Sequence, residues 1–445
     1  MDLRKHLASQ SAIIFGARLF GAGLTFLVQA AIARVLGSTM LGQYLLIFAA
    51  VNLVAVVMPL GFETVGTYFA AEYRAKGEGK LLRGFMLRAY GHIAAATALL
   101  FVVGYPLASL FGEPGRVFTQ HWGPACLLAF ATAMVFVTSS LLIGLKRPFA
   151  GYFADSIFRP MAIIAAFVIG LAATTIDVRF EILLWGVALG YTAIALGQFV
   201  WLVTAVRVVP TEVPARPLEW KRWWRFALPW VVISLASDFF FDIDLLVLSN
   251  LLNHEDLAIF GVCTRVFSLV SFGVAAVYAV TLPDMFESEA KADRAGFLRK
   301  IGDANLVASG LSVLLLIIVS VGAPIALWIF GPAFLAGAVP LSLLCVSLVV
   351  RSAFGPASLV LSVHDKPYAT LPAIALGLVA LVVGNFMLVP RFGLMGASSA
   401  ALLAITLWCA AQWYIVLRTA GVDVSVHARL SRRAQPQVVL KEKVG

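Results

Sequence analysis

The chain is dominated by a succession of apolar runs, each long enough to cross a bilayer as a helix, which takes about 20 residues. They lie at approximately 11 to 33, 41 to 62, 86 to 109, 122 to 144, 151 to 173, 181 to 205, 226 to 250, 257 to 281, 303 to 330, 338 to 362, 368 to 389 and 393 to 416. A water-soluble fold is excluded, because 61% of the 445 residues are hydrophobic and only 13% are charged, about half the charge of an ordinary soluble domain. In lipid every backbone polar group must be satisfied internally, and runs of this length do so as helices. The expected fold class is an all-α polytopic membrane protein with about 12 transmembrane helices.

Lys and Arg total 33 against 23 Asp and Glu, a net charge of +10. With both termini on the inner side, 25 of the basic residues fall in inner segments, four in outer segments and four within spans. That bias is the positive-inside pattern. The basic charge therefore reports topology, with both termini cytoplasmic, and no nucleic-acid partner is expected. The start, with Arg4, Lys5 and Ala31-Ile32-Ala33, imitates a signal peptide, but the run is too long and contains Arg18, so it reads as a retained first helix. Cys126, Cys263, Cys345 and Cys409 each lie alone in an apolar run and read as core filler.

Four segments follow: an N-terminal six-helix half (1–205), a linker with an interfacial helix (206–225), a C-terminal six-helix half (226–417) and a cytoplasmic tail (418–445). The linker holds Pro210, Pro214 and Pro217 and then Glu219-Trp220-Lys221-Arg222-Trp223-Trp224-Arg225. Such a segment reads as an anchor at the inner membrane surface, with recognition of anionic lipid as the alternative. Leu41-Gly42-Gln43-Tyr44 and Leu257-Ala258-Ile259-Phe260 form a faint repeat, offset by 216 residues. Two halves of like orientation would be related by an axis along the membrane normal, with the site near midplane at their interface.

Ionisable groups at membrane depth are costly and normally face a bundle interior or a wet cavity. Ser11, Arg18, Thr25 and Gln29 form one stripe on span one; Ser347, Arg351, Gly355, Ser358 and Ser362 form one on span ten. On span seven Ser234, Asp238, Asp242 and Ser249 share a face from which Asp244 turns away, and on span eight Arg265 and Ser268 precede Tyr278. Both halves thus contribute to an expected central hydrophilic cavity. At 1.5 Å per residue, Arg18, Arg265 and Arg351 bracket the midplane. A guanidinium stays charged and its planar fork matches phosphate oxygens. The functional expectation is that these arginines bind an anionic phosphate or diphosphate headgroup; the competing one is that Asp238, Asp242 and Asp244 neutralise them as buried ion pairs. Arg159 is expected near the inner edge, where it snorkels, and His92 reads as a packed or interfacial imidazole. Gly186 and Gly190, like Gly16 and Gly21, are expected to allow close helix packing. No cluster has metal-ligand spacing, no loop resembles a nucleotide site, and short loops leave no room for a catalytic domain. The chain is not expected to be an enzyme.

Three stretches resemble the bacterial polysaccharide flippase family, the O-antigen and exopolysaccharide exporters of the multidrug/oligosaccharidyl-lipid/polysaccharide superfamily. They are Ile32-Ala33-Arg34-Val35-Leu36-Gly37 leading to Leu41-Gly42-Gln43-Tyr44, Asp242-Ile243-Asp244-Leu245-Leu246-Val247-Leu248 with Leu257-Ala258-Ile259-Phe260, and Asn385 through Val389-Pro390-Arg391-Phe392-Gly393-Leu394-Met395-Gly396-Ala397. The resemblance implies movement of an undecaprenyl-diphosphate-linked oligosaccharide from the inner to the outer leaflet of the bacterial plasma membrane by alternating access. It implies a headgroup role for Arg18 and Arg265, where the related lipid II flippases use arginines. Arg351, Thr25 and Gln29 join that set on the stripe argument alone, and Arg34 and Arg391 sit at the outer edge, where a structural role is at least as expected. Related flippases hold Na⁺ between spans seven, eleven and twelve, so Asp242 or Asp244 with Asn385 and Ser399 form one coupling candidate. H⁺ passing through Asp238 and Asp242 is another, and uncoupled transport a third. No other cofactor is implied; membrane lipids and polysaccharide polymerase machinery are the further partners to consider. The alternatives are a multidrug exporter of the same superfamily, which would want an acidic cavity, and a polytopic glycan polymerase or ligase.

Overall fold

The computed structural model describes residues 3–211, 219–291, 294–364 and 366–434. Pro214 and Pro217 of the expected linker and residues 435–445 of the expected tail lie outside them. The described residues form helices and connecting turns, with no strand among them. The first helices are α1 (Leu3–Leu36), α2 (Ser38–Val57) and, past a break at 58–61, α3 (Phe62–Lys76). α4 (Gly79–Leu99) runs through a π-helical turn at Leu100–Gly104 into the short α5 (Tyr105–Ala108), and α6 (Glu113–Gln120) precedes α7 (Trp122–Gly144). α8 (Pro148–Phe153) and α9 (Arg159–Gly170) are joined by a second π-helical turn, Ala154–Phe158, and α10 (Ile176–Arg207) follows. The remainder comprises α11 (Trp220–Asp238), α12 (Phe240–Leu248), α13 (His254–Ala290), α14 (Arg294–Trp328), α15 (Ala338–Phe354), α16 (Ala357–Val363), α17 (Leu371–Thr419) and α18 (Val426–Ala434).

Ten helical stretches among the described residues are long and apolar enough to cross a membrane. The last of them, Pro367–Thr419, holds two crossings, because α17 reverses at Gly393 (φ 53, ψ −130) just after Pro390. Only glycine adopts that backbone without a side-chain clash. The seventh expected crossing is split at Phe239 into α11 and α12 and carries three carboxylates, so neither piece alone is long and apolar. About twelve crossings result, and the chain is a multi-pass membrane protein.

Two compact units form: Met1–Val262 with Leu327–Phe334, and Cys263–Ala326 with Leu335–Gly445. The division falls inside α13 and not at the linker, because α11 packs on α2 and α3 while α12 packs on α2. In the first unit α7 is the central helix, against α2, α3, α8 and α10. Small residues bring helices together there, as expected: a Cβ on Gly186 or Gly190 would lie 2.7 or 2.9 Å from Ala166 or Ala162 of α9, and one on Gly21 only 1.6 Å from the Ser156 carbonyl oxygen. Gly16 departs from expectation, since nothing lies within 4 Å of it. In the second unit α15 packs along α17, and Phe297, Ile301, Val360, Leu361 and Val416 share one buried core.

The basic, Trp-rich segment is the start of α11 and not a separate interfacial helix. Its Trp223 is buried and donates from Nε1 to Tyr73 Oη at 2.7 Å; Tyr73 donates in turn to Glu219 Oε2 at 3.1 Å. Arg222 bridges Glu72 and Glu219, each at 2.8 Å. Partial burial pushes the Glu72 carboxyl up, but hydrogen bonds from Arg222 and Lys76 outweigh it and leave the group below its usual value. Trp223 and Arg222 thus dock α11 on α3, while Trp220, Lys221 and Arg225 of the same segment are exposed.

Candidate functional site

In the first unit the expected headgroup residues lie along α1. Arg18 is exposed within the apolar stretch Ile13–Leu36, its guanidinium carbon 5.1 Å from the centre of the Tyr152 ring of α8. Among the described residues it makes no hydrogen bond or ion pair, so its five N–H donors remain available. Thr25 spends its hydroxyl locally, donating to the Gly21 carbonyl at 3.0 Å. Gln29 is buried, and its Oε1 has no hydrogen-bond partner among the described residues. Of the stripe, Arg18 alone presents an exposed charge.

Arg159 contradicts the snorkelling expectation. The crossing starts at Pro148, which places Arg159 midway through Pro148–Gly170, and the residue is 7% exposed. Its Nη1 donates to Asp155 Oδ1 at 2.6 Å, and its guanidinium carbon lies 4.6 Å from the Tyr191 ring centre and 5.5 Å from that of Phe136. Nε and Nη2 are buried and make no hydrogen bond among the described residues. Asp155 keeps its carboxylate reachable, with 56% of its side chain exposed. The pair occupies the π-helical turn between α8 and α9, a form of helix found mainly at functional positions.

Asp238 is exposed at the end of α11, whereas Asp242 and Asp244 on α12 are buried. Asn52 of α2 donates from Nδ2 to Asp242 Oδ2 at 3.4 Å. Glu63, on the first turn of α3, is buried too, a residue that no sequence signal singles out because it follows the second apolar run. Arg34 donates to the carbonyls of Ile329 and Trp328 at the end of α14. Helix C-termini leave such carbonyls unpaired, so Arg34 is a cap and its role is structural.

In the second unit Arg351 is exposed in the last turn of α15, without a hydrogen bond or ion pair among the described residues. A cation is favourable at a helix C-terminus. The expected span-ten stripe does not run along one helix: α15 stops at Gly355-Pro356, where the Val424 carbonyl approaches so closely that a Cβ on Gly355 would lie 2.0 Å from it. Ser358 and Ser362 accordingly belong to α16. Arg265 is half-buried on α13. Tyr278 donates to Asn305 Oδ1 at 2.7 Å, and Asn305 donates to the Val424 carbonyl at 3.0 Å, a buried chain the sequence did not indicate. Gly384 backs onto Ala400 across the α17 hairpin, which sets Asn385 and Ser399 at one level; Asn385 is buried and Ser399 half-buried. Arg391 is exposed beside the turn. The coupling set is thus divided, with Asp238, Asp242 and Asp244 in the first unit and Asn385 and Ser399 in the second. No group of three or more His, Cys, Asp or Glu able to hold a metal occurs among the described residues.

The family described as polysaccharide biosynthesis protein matches residues 7–289. Among solved structures, the chain is similar to an inward-facing multidrug resistance MATE family transporter of the MOP superfamily, with a TM-score of 0.73 and 13% identity over 94% of this chain and 99% of that one. It is similar to the lipid II flippase MurJ in an inward closed conformation, with a TM-score of 0.70 and 14% identity over 91% and 87% of the two chains. A MOP superfamily transporter from Pyrococcus furiosus gives a TM-score of 0.64 and 14% identity over 92% and 95%. At these identities the likenesses establish the fold. Among curated proteins none matches.

Proposed function

The chain belongs to the polysaccharide biosynthesis protein family, and on that premise we propose that it is a flippase. Its cargo is an undecaprenyl-diphosphate-linked oligosaccharide, moved by alternating access from the inner to the outer leaflet of a bacterial plasma membrane for surface polysaccharide synthesis. The observation that carries this reading is the pair of exposed arginines, Arg18 and Arg351, each on a membrane-spanning stretch with its donors uncommitted to protein acceptors among the described residues. A diphosphate cannot leave water unless charge and hydrogen bonds replace its hydration, and a guanidinium supplies both to phosphate oxygens. Arg265, half-buried on α13, joins them as a headgroup ligand, and Gln29, with its open Oε1, offers an acceptor to a sugar hydroxyl. Thr25, bonded to its own helix, adds polarity only.

In this reading the protein breaks no covalent bond, and transport is coupled to Na⁺ at Asp242 or Asp244 with Asn385 and Ser399, to H⁺ through Asp238 and Asp242, or to neither. Exposed arginines disfavour the multidrug alternative, whose organic cations they would repel. The test is genetic and chemical together. Deleting the protein should make a lipid-linked glycan accumulate, identifiable by mass spectrometry in the inner leaflet, and Arg18→Ala or Arg265→Ala should reproduce that accumulation with the protein still inserted. Unchanged surface polysaccharide in both variants would remove these arginines as cargo ligands, and no accumulation on deletion would remove the flippase itself.

A further inference from the structure

The first unit holds another buried acid in an unusual setting. Glu63 is 9% exposed. Its Oε1 accepts a hydrogen bond from Thr64 Oγ1 at 3.0 Å, and that hydroxyl accepts in turn from Ser234 Oγ of α11 at 3.1 Å. Its Oε2 is buried and has no hydrogen-bond partner among the described residues. The charges around it offer no compensation. Of ionisable side chains α2 brings only Tyr44 and α7 only Cys126; α4 carries Lys80, Arg83, Arg88, Tyr90, whose hydroxyl is bonded to that of Thr138, and His92, whose imidazole meets the Phe62 ring edge-on at 4.8 Å. From α11 comes Asp238, whose negative charge acts on Glu63, while Arg222 at the far end of that helix is engaged by Glu72 and Glu219, and Arg225 lies over the Phe226 ring. On α12, Asp242 is bonded to Asn52.

Two opposing effects meet at this carboxyl. An unpaired carboxylate taken out of water costs several kcal/mol, and the Asp238 charge adds a smaller repulsion, so the acid form is favoured. Glu63 also lies in the first turn of α3, whose unpaired N–H groups favour the anion. The backbone beside it is strained: Leu60 has φ 54, and Gly61 (φ 85) sits so close to α11 that a Cβ would lie 2.2 Å from the Ala227 carbonyl. α11 itself carries Pro229 and breaks at Phe239. Irregular backbone at membrane depth is tolerated mainly where it lines a binding site or cavity, and interrupted helices mark the ion sites of many transporters.

We propose that Glu63 is a proton-binding site, and that its gain and loss of a proton sets how α3 packs against α11. The acid form keeps the buried side chain in the present arrangement, bonded through Thr64 to Ser234 of α11; loss of the proton leaves an uncompensated negative charge at the α2–α3 break, within reach of the Asp238 charge, and loosens the seam. This rests on the transporter reading for its purpose, but its test needs no cargo. Full-length protein in lipid nanodiscs is titrated with base while the infrared carbonyl stretch of protonated carboxylic acids is followed. The wild type should lose a band that Glu63→Gln lacks from the start, and Asp238→Asn should move that loss to lower pH by removing a repelling charge. Spin labels on Ala75→Cys and Val232→Cys, with the four native cysteines replaced by alanine, should show a base-dependent distance that Glu63→Gln abolishes. An infrared titration identical in wild type and Glu63→Gln, or unmoved in Asp238→Asn, overturns the proton site; a distance insensitive to base overturns its link to packing. Failure of glycan accumulation on deletion would leave all of these readouts standing.

Discussion

Around Arg18 and around Arg159 the first unit sets the same side chain against the same kind of partner, an aromatic ring, at 5.1 Å from Tyr152 in one case and 4.6 Å from Tyr191 in the other. The two regions adjoin in the chain, since Tyr152 lies in the last turn of α8 and Asp155 follows in the π-helical turn. What separates them is cover by the protein. Arg18 is exposed, so its donors can serve a ligand; Arg159 is buried, so its charge must be neutralised where it stands. An arginine in an apolar run therefore says only that a polar environment exists, and burial decides whether that environment is a binding surface or a structural pair.

The strongest way to break this comparison is at the contact that holds both regions in register. Gly21→Val puts a side chain where the Ser156 carbonyl stands, an overlap of backbone that exceeds the ~1–3 kcal/mol of ordinary overpacking. The expected result is loss of monodisperse protein on size-exclusion chromatography, and normal recovery would show that α1 does not depend on this turn. Next in size, Asp155→Ala leaves a buried guanidinium without its counter-charge and should cost ~3 kcal/mol, whereas Arg159→Met leaves only an exposed carboxylate and should cost ~1 kcal/mol or less. Thermal melts in detergent read the difference, and equal shifts for the two variants would deny that Arg159 is the buried member. Smallest, Arg18→Ala should shift the same melt by ~0.5 kcal/mol or less, since an exposed cation–π contact is worth little. A large shift there would make Arg18 a structural residue like its neighbour.

The crossings were legible because each is a run of apolar residues whose length the bilayer fixes. The reversal at Gly393 was legible too, as a boundary between two runs. Breaks inside runs are missed by hydropathy alone: Gly355 (φ 84) and Pro356 stop α15 within a stretch long enough to cross, and the Val424 carbonyl from distant sequence fills the space beside the break. Arg159 was misplaced for a related reason. Pro148 begins a helix without an apolar signal, so the span was started late and the arginine set too near its edge. Glu63 is not legible in the hydropathy, which ends at the second run, while the chain resumes as a helix packed against α4, α7 and α11. Periodicity reports one helix at a time, and both groups owe their character to neighbours remote in sequence.

The hairpin of α17 ties its two arms to one another over a turn of almost no length. Gly393 supplies that turn at φ 53, Gly384 is seated on Ala400 and Gly377 on Trp408, so the last two crossings pack as a single wedge, and a side chain at position 393 would strain its tip.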